Sequence, residues 1–443
     1  MSHGADRVWS VTEHLDSILA QLAPLEAIEL QLLEAQGCVL VEDVTVPMAL
    51  PPFENSSMDG YAVRVADTAA ATLEHPAVLE VIGDVAAGSD ALPEVGPGQA
   101  ARIMTGAPLP PGAEAVVPVE WTDGGTGGGP ATTMAAHSID PAGAGGEVRV
   151  HRGAEKGQFV RARGSDVAAG ELALAAGTVL GPPQIGLLAA IGRGTVTVRP
   201  RPRVVVLSTG SELVQPGEEL GPGRIHDSNS YVLTAAARDA GAIAYRVGAV
   251  VDEVETLRAT IEDQMVRADI IVTTGGVSVG AYDVVKEALS WLGGTMDHAD
   301  DGSGSAPGHV EFRKLAMQPG KPQGFGRIGP DRIPLLALPG NPVSAYVSFE
   351  IFVRPAIRTL MGAASVHRDV VRAACVTAID RSPEGRRQFL RGRYDRISGT
   401  VTPVGGAGSH LVAALAQANA LIVVPEAVTS LEAGSEVDVV VLD

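Results

Sequence analysis

The strongest constraint on the fold is a change of rhythm at Arg203, after which short unbroken apolar runs alternate with segments of helical periodicity as far as residue 360. Strands buried on both faces of a parallel sheet read as continuous apolar runs, and regular strand–helix alternation marks an α/β domain. Val204-Val-Val-Leu207 is the first such strand, with Ser208-Thr-Gly-Ser-Glu-Leu213 as the turn beyond it. A helix follows His226-Asp-Ser-Asn229 and ends at Gly241; a strand over 242–251 and a helix over 254–267 come next. The stretch from Asp269 to Asp283 then reads as a strand ending in an anion-binding turn. Gly275, Gly276 and Gly280 allow a sharp bend and close approach to a ligand, and Asp283 opens a helical run over 284–292 whose first amides favour phosphate. Two further Pro/Gly turns, Leu315-Ala-Met-Gln-Pro-Gly-Lys-Pro322 and Leu338-Pro-Gly-Asn-Pro-Val-Ser344, lead into a long helix over 345–360. Turns beyond the carboxyl ends of neighbouring strands meet in one crevice, so Glu212, Asp227, Asp283, Lys321 and Asn341 are expected together.

A chain of 443 residues exceeds what one hydrophobic core supports. Its net charge of −19 opposes the phosphate neutralisation that nucleic-acid binding needs, so nucleic acid is excluded as a partner. Cys38 and Cys375 are the only cysteines, with no CxxC, which points away from a disulfide framework or a zinc site and fits a reducing compartment. The N-terminus lacks the pattern of a secretory signal, and the apolar stretch 172–191 is broken by Gly181-Pro182-Pro183-Gln184. A cytoplasmic protein without a membrane span is expected.

Outside the α/β region the chain reads as β-rich. Ser10-Val-Thr-Glu13 is a capping box for a helix to about Leu22, ended by Pro24, and a second helical segment is expected over 26–35. The segment from Pro51 to Val63 is a loop running into a strand, and short strands dominate from Tyr61 to Val150. Residues 122–146, rich in Gly, Ala and Thr, read as a flexible loop without a catalytic role. Gly324-Phe-Gly-Arg-Ile-Gly329 matches GxGxxG, but Pro330 and Pro334 stand where a dinucleotide site requires a helix, so a Rossmann site is not expected. From His367 onward short strands predict a small barrel or sandwich. The fold class is multi-domain α/β plus β: a central, largely parallel α/β domain over 201–366, flanked by β-rich N-terminal and C-terminal domains. The boundaries are a discontinuous N-terminal domain over 1–52 and 151–200, an inserted β-rich domain over 53–150, and a C-terminal β-barrel over 367–443.

Taken in order, NSSMDGYAV, RIMTGAPLP, RGSD, STGSEL, HDSN, TTGGVSVGAYD, PGKP and LPGNPVS resemble one family across nearly the whole chain: the molybdopterin molybdenumtransferases, bacterial counterparts of the gephyrin E domain. The resemblance implies an enzyme that joins molybdate, its substrate, to the dithiolene of adenylylated molybdopterin with Mg²⁺ and releases AMP, completing the molybdenum cofactor. It further implies an elongated homodimer, in which the segment holding Asp59 reaches the partner's cleft, and a transient contact with the adenylyltransferase. Carried over, it places Asp59, Asp166, Glu212, Asp227, Asp283, Lys321 and Ser409 in the active site, with Asp227 and Asp283 as metal ligands. Thr209, Gly210, Gly275, Gly276, Ser278, Gly280, Pro339, Asn341, Pro342 and Ser344 are the expected substrate contacts.

Physical chemistry supports a cation there, since several carboxylates facing an anionic substrate repel it unless a divalent ion intervenes. Asp227 and Asp283 also stand where a helix N-cap belongs. One position departs from the family pattern. Where many members carry Lys-Pro-Gly-Lys, this chain has Gln318-Pro-Gly-Lys321; Gln318 donates hydrogen bonds but brings no charge, so Arg313, Lys314 or the arginines of the last domain are candidates to compensate. A molybdopterin adenylyltransferase shares the glycine-rich α/β turn, but the additional domains argue against it. A scaffold without turnover is disfavoured by the retained Asp227, Asp283 and Lys321.

Overall fold

The computed structural model describes residues 7–134, 146–276, 285, 287–289 and 310–443. The chain divides into two compact units, one of Met1–Glu42, Ala176–Pro182 and Thr195–Asp443, the other of Asp43–Ala175 and Pro183–Gly194.

The first unit is built on a seven-stranded sheet in the spatial order Val8–Trp9, Val310–Leu315, Pro322–Ile328, Ile333–Leu338, Ile270–Thr274, Arg203–Thr209, Ile243–Val250. The last four strands are mutually parallel, as expected of an α/β domain, while Pro322–Ile328 runs antiparallel to both of its neighbours. Alternate residues of the central strand face opposite cores. Val204 and Val206 pack with Leu233, Ala236 and Ala237 of helix Asn229–Asp239, whereas Val205 and Leu207 pack with Leu257 and Ile261 of helix Val254–Met265. Both faces of the sheet are therefore covered. Gly324 to Ile328, within the GxGxxG match, lies in the antiparallel strand and opens no helix, so the dinucleotide reading fails as expected.

Helix Val11–Leu19 starts at the expected capping box: the Glu13 amide donates to Ser10 Oγ at 3.0 Å and the Ser10 amide to Glu13 Oε2 at 2.9 Å. It ends at Leu19 rather than Leu22, because the next amides turn back to Ile18 and Leu19 in tighter bonds. The helix expected over 26–35 is instead strand Ile28–Gln31, paired antiparallel with Thr195–Arg199. Ile28-Glu-Leu-Gln31 alternates, and a distant partner strand overrides local helical propensity. The long helix begins at Pro342, three residues before the expected start, since proline suits the first helical turn. It continues through a π-helical segment Phe349–Val353 into Arg354–Leu360.

The last part of the chain forms the expected barrel. Strands Arg387–Asp395, Thr400–Pro403, Val370–Cys375, Glu436–Val441 and Ala420–Val424 pair in that order, and Ala420–Val424 pairs back onto Arg387–Asp395 to close the ring. Closure leaves no free edge in the ring. A two-residue strand, Met317–Gln318, joins the barrel through Arg387 and Gln388.

The second unit contains a five-stranded sheet, Glu147–Val150, Ala77–Val85, Gln99–Ile103, Gly60–Val63 and Ala115–Pro118, around Tyr61, Val63, Val117 and Val148. The start of the loop at 122–146 is pinned, with Asp123 accepting from the amides of Gly125, Gly127 and Arg149; residues 135–145 lie outside the described residues. Cys38 and Cys375 are free and buried. Among the described residues no helix is long and apolar enough to cross a membrane.

Candidate active site

Strand Arg203–Thr209 has Ile243–Val250 on one side and Ile270–Thr274 on the other, and the chain visits them in that order, so its connections diverge to opposite sides of the first strand. Beyond the carboxyl ends of two strands whose connections diverge, no crossover fills the space, and a crevice opens. Here it measures about 870 Å³. Ser208, Thr209 and Gly210 form one lip, and Thr274, Gly275 and Gly276 the other.

The lips approach closely because they carry glycine. Gly275 has φ +101°, and a Cβ there would lie 2.2 Å from the Thr209 carbonyl oxygen. Asn229, the first residue of its helix, braces the site from below: its Nδ2 donates to Gly340 O at 2.7 Å and to Thr274 Oγ1 at 3.1 Å, while Thr274 Oγ1 donates to Pro339 O at 2.9 Å. One side chain thus ties together three of the elements that line the crevice. Asn229 Oδ1 and Thr209 Oγ1 are buried there without partners among the described residues.

Asp227 is 1% exposed and its carboxylate is held by its own helix start and strand. Oδ1 accepts from Ser208 Oγ at 2.8 Å and the Ser230 amide at 3.0 Å, and Oδ2 accepts from Ser230 Oγ. Ser228, the formal N-cap, makes no side-chain capping bond, so Asp227 does the capping as well as lining the crevice. A carboxylate offers about four lone-pair directions, and three are in use. Glu212, exposed, and Asp252 add two more carboxylates, and Asp252 Oδ1 is a buried acceptor without a partner among the described residues. Among the described residues no three His, Cys, Asp or Glu side chains cluster closely enough to form a metal cage.

Cations line the same crevice from two turns. Lys321 projects from the Pro319-Gly-Lys321 turn, and Arg386 arrives from the barrel, placed by the pairing of Met317 with Arg387. Arg313 does not compensate for Gln318: it is bonded to Glu311 and to Ser17 Oγ and stacked 3.9 Å over Trp9. Lys314 is exposed and does not line the crevice. Ser409 and His410 line it from a barrel loop whose Gly406 and Gly408 carbonyls accept from buried Arg391, a guanidinium that burial pushes below its ordinary range. The Val343 amide donates to Ser409 O at 3.0 Å, tying that loop to the helix start.

Of the residues expected in the site, Glu212, Asp227, Lys321 and Ser409 line the crevice, as do Thr209, Gly210, Gly275 and Gly276, and Pro339, Asn341, Pro342 and Ser344. Ser278, Gly280 and Asp283 lie outside the described residues. Asp59 and Asp166 belong to the other unit, where Asp59 Oδ1 accepts from the Thr105 amide at 2.7 Å and from Thr105 Oγ1 at 2.8 Å. Asn229, Asp252 and His410 were not expected as site residues, while Arg386 is one of the last-domain arginines expected as candidates to compensate for Gln318. The HDSN motif held a signal for Asn229; Asp252 gave none, since only the strand order brings it to the crevice.

Comparison with known proteins agrees along the whole length. Residues 9–192 match the MoeA N-terminal region (domains I and II), 205–359 a probable molybdopterin binding domain, and 377–442 the MoeA C-terminal region (domain IV). Molybdopterin molybdenumtransferase 2 of Mycobacterium tuberculosis is 44% identical over 430 residues, covering 97% of this chain and 98% of that protein. The chain belongs to the molybdopterin molybdenumtransferase family. It is accordingly a transferase. The family's molybdopterin molybdenumtransferase from Bacillus subtilis is 35% identical over 91% of this chain and 87% of its own length. The molybdopterin biosynthesis MoeA protein of Pyrococcus horikosii, a solved structure, superposes with a TM-score of 0.72 at 30% identity, covering 99% of this chain and all of that one.

Proposed function

We propose that the crevice binds adenylylated molybdopterin and that the chain joins molybdate to its dithiolene, releasing AMP to give molybdenum cofactor. The observation that carries this reading is that Lys321 and Arg386 line the same turn-built crevice as Asp227, Glu212 and Asp252, at the diverging strands. Lys321 and Arg386 hold phosphate oxygens, and Arg386 supplies the charge that Gln318 lacks. At Gly275 and Gly276 the backbone can follow the phosphates closely because no Cβ stands in the way. Ser409 and Asn341 contact the substrate; the Asn341 side chain makes no capping bond and is available to do so.

Mg²⁺ fits this donor set. It takes one or two carboxylates and fills its octahedron with water and phosphate oxygens, and Asp227 retains one lone-pair direction after its three bonds. Asp227 and Asp283 are the proposed ligands, and when bound the cation neutralises charge on the leaving phosphate. Ser208 and Ser230 keep the Asp227 carboxylate from turning away. Asp59 and Asp166 act in the crevice of a second copy, which makes the working unit a homodimer. The finer four-part division, the 1–52 and 151–200 domain with its 53–150 insert followed by 201–366 and 367–443, belongs to the same reading, as do a cytoplasmic location and a transient contact with the adenylyltransferase.

The test is to mix purified protein, adenylylated molybdopterin, Mg²⁺ and molybdate and to follow AMP. Molybdate-dependent AMP release is expected. Binding without release would leave a scaffold and refute the transferase reading of this site.

A further inference from the structure

Gln323 lies on strand Pro322–Ile328 with 1% of its surface exposed, behind the turn that carries Lys321. Its Nε2 donates to Gly320 O at 2.7 Å and to Ser348 Oγ at 2.5 Å. Ser348, itself fully buried, is the last residue of helix Pro342–Ser348, whose first residues line the crevice. Gly320 has φ +101°, and a Cβ there would lie 2.9 Å from Ser348 Oγ and 3.3 Å from Gln323 Nε2, so the turn rests directly on this pair. On its other side the Leu315 amide donates to Lys321 O at 2.7 Å.

We infer that Gln323, braced on Ser348, is the positioning residue that fixes the root of Lys321 in the crevice. Lysine is a point charge on a flexible stem, so where its backbone stands decides which substrate oxygen it reaches. The two peptide carbonyls flanking the Lys321 Cα, those of Gly320 and Lys321, are each held by one donor, Gln323 Nε2 and the Leu315 amide. An apolar side chain of equal length fills the same space, but it leaves the Gly320 carbonyl without its donor and the turn free to tilt. Gln318 is neutral, so Lys321 is the cation of this turn and its placement carries the turn's electrostatic contribution. The inference rests on the crevice being an anion site, as proposed above.

Inorganic pyrophosphate is the probe, titrated calorimetrically into the full-length protein, Gln323→Met, Lys321→Ala and the double variant. Gln323→Met is expected to weaken binding about tenfold, equivalent to about 1.4 kcal/mol, and to have almost no effect in the Lys321→Ala background. Equal weakening in both backgrounds, or none in either, overturns the positioning role while leaving the crevice reading intact. An unchanged affinity in Lys321→Ala itself defeats the crevice reading, and the positioning role with it. If Gln323→Met does not fold, Gln323→Glu decides: its acid form donates to Gly320 O and its carboxylate cannot. The affinity ratio of variant to parent should then fall as pH rises through a carboxyl pKa raised by burial. A flat ratio overturns the proposal.

Discussion

Asn229→Asp replaces the brace under the crevice by an isostere whose chemistry is reversed at one atom. The Nδ2 group donates to Gly340 O at 2.7 Å and to Thr274 Oγ1 at 3.1 Å, and Thr274 cannot donate back because its hydroxyl is committed to Pro339 O. A protonated aspartic acid has one O–H, so it keeps one of the two bonds and loses about 1 kcal/mol. An ionised one keeps neither and sets a negative oxygen against the Gly340 carbonyl at a site where the parent residue is 9% exposed. Two lost bonds and an unpaired carbonyl amount to about 2–4 kcal/mol. The folded state therefore holds the proton more tightly than the unfolded chain, whose aspartate titrates near 3.9. A raised folded pKa means that the added penalty is absent below about pH 4 and grows as pH rises toward the folded value. Hydrogen exchange of the Ile270–Thr274 amides, compared between variant and parent at each pH, reports the opening of this sheet without requiring the whole chain to unfold in one step. The difference should be about 1 kcal/mol near pH 4 and about 2–4 kcal/mol near pH 8. A penalty that does not depend on pH would refute the brace, and no penalty at either pH would show that the three elements hold themselves.

Lys321→Ala should lower the rate of AMP release by about 3 kcal/mol in the transition state with an unchanged melting temperature, because the turn is shaped by Pro319, Gly320 and Pro322; normal release would remove Lys321 from the site. Gln318→Lys should be tolerated, and a severe loss of substrate affinity would show a site adapted to the neutral side chain. His14, 1% exposed with its ring edge-on to Phe352 at 4.9 Å, has its pKa pushed down to about 3 by burial and by the nearby Arg313 charge. The fold gains stability from the neutral ring above the ordinary histidine value of about 6.5 and loses it as pH falls toward 3, at up to about 1.4 kcal/mol per pH unit, so His14→Gln should flatten acid unfolding followed by circular dichroism, and an identical acid limb would refute the assignment. Mixing Asp59→Ala with Asp283→Ala subunits should restore one working site per heterodimer; absence of activity after confirmed subunit exchange would refute a shared site.

What the sequence shows of this molecule follows from whether a residue's partner is near in the chain. Three of the four parallel strands, those of 203–209, 243–250 and 270–274, are legible from their local apolar patterning, whereas Ile333–Leu338 was not expected as a strand; the Ser10 capping box is legible because both of its bonds close within three residues. The error at 26–35 is the converse: Ile28–Gln31 is a strand only because Thr195–Arg199 pairs with it. The same division runs through the candidate site. The glycine turns and Asp227 announce themselves by local spacing, and Gly241, at φ +105°, closes its helix where a glycine is expected. Charge balance does not. Arg313, beside the Gln318 turn in sequence, is occupied by Glu311, Ser17 and Trp9, while Arg386 reaches the crevice across a two-residue strand pairing. A neutral Gln318 in this turn therefore does not leave Lys321 as the sole cation lining the crevice, since Arg386 lines it from the barrel, and sequence position predicts such a contribution only when its delivery is local.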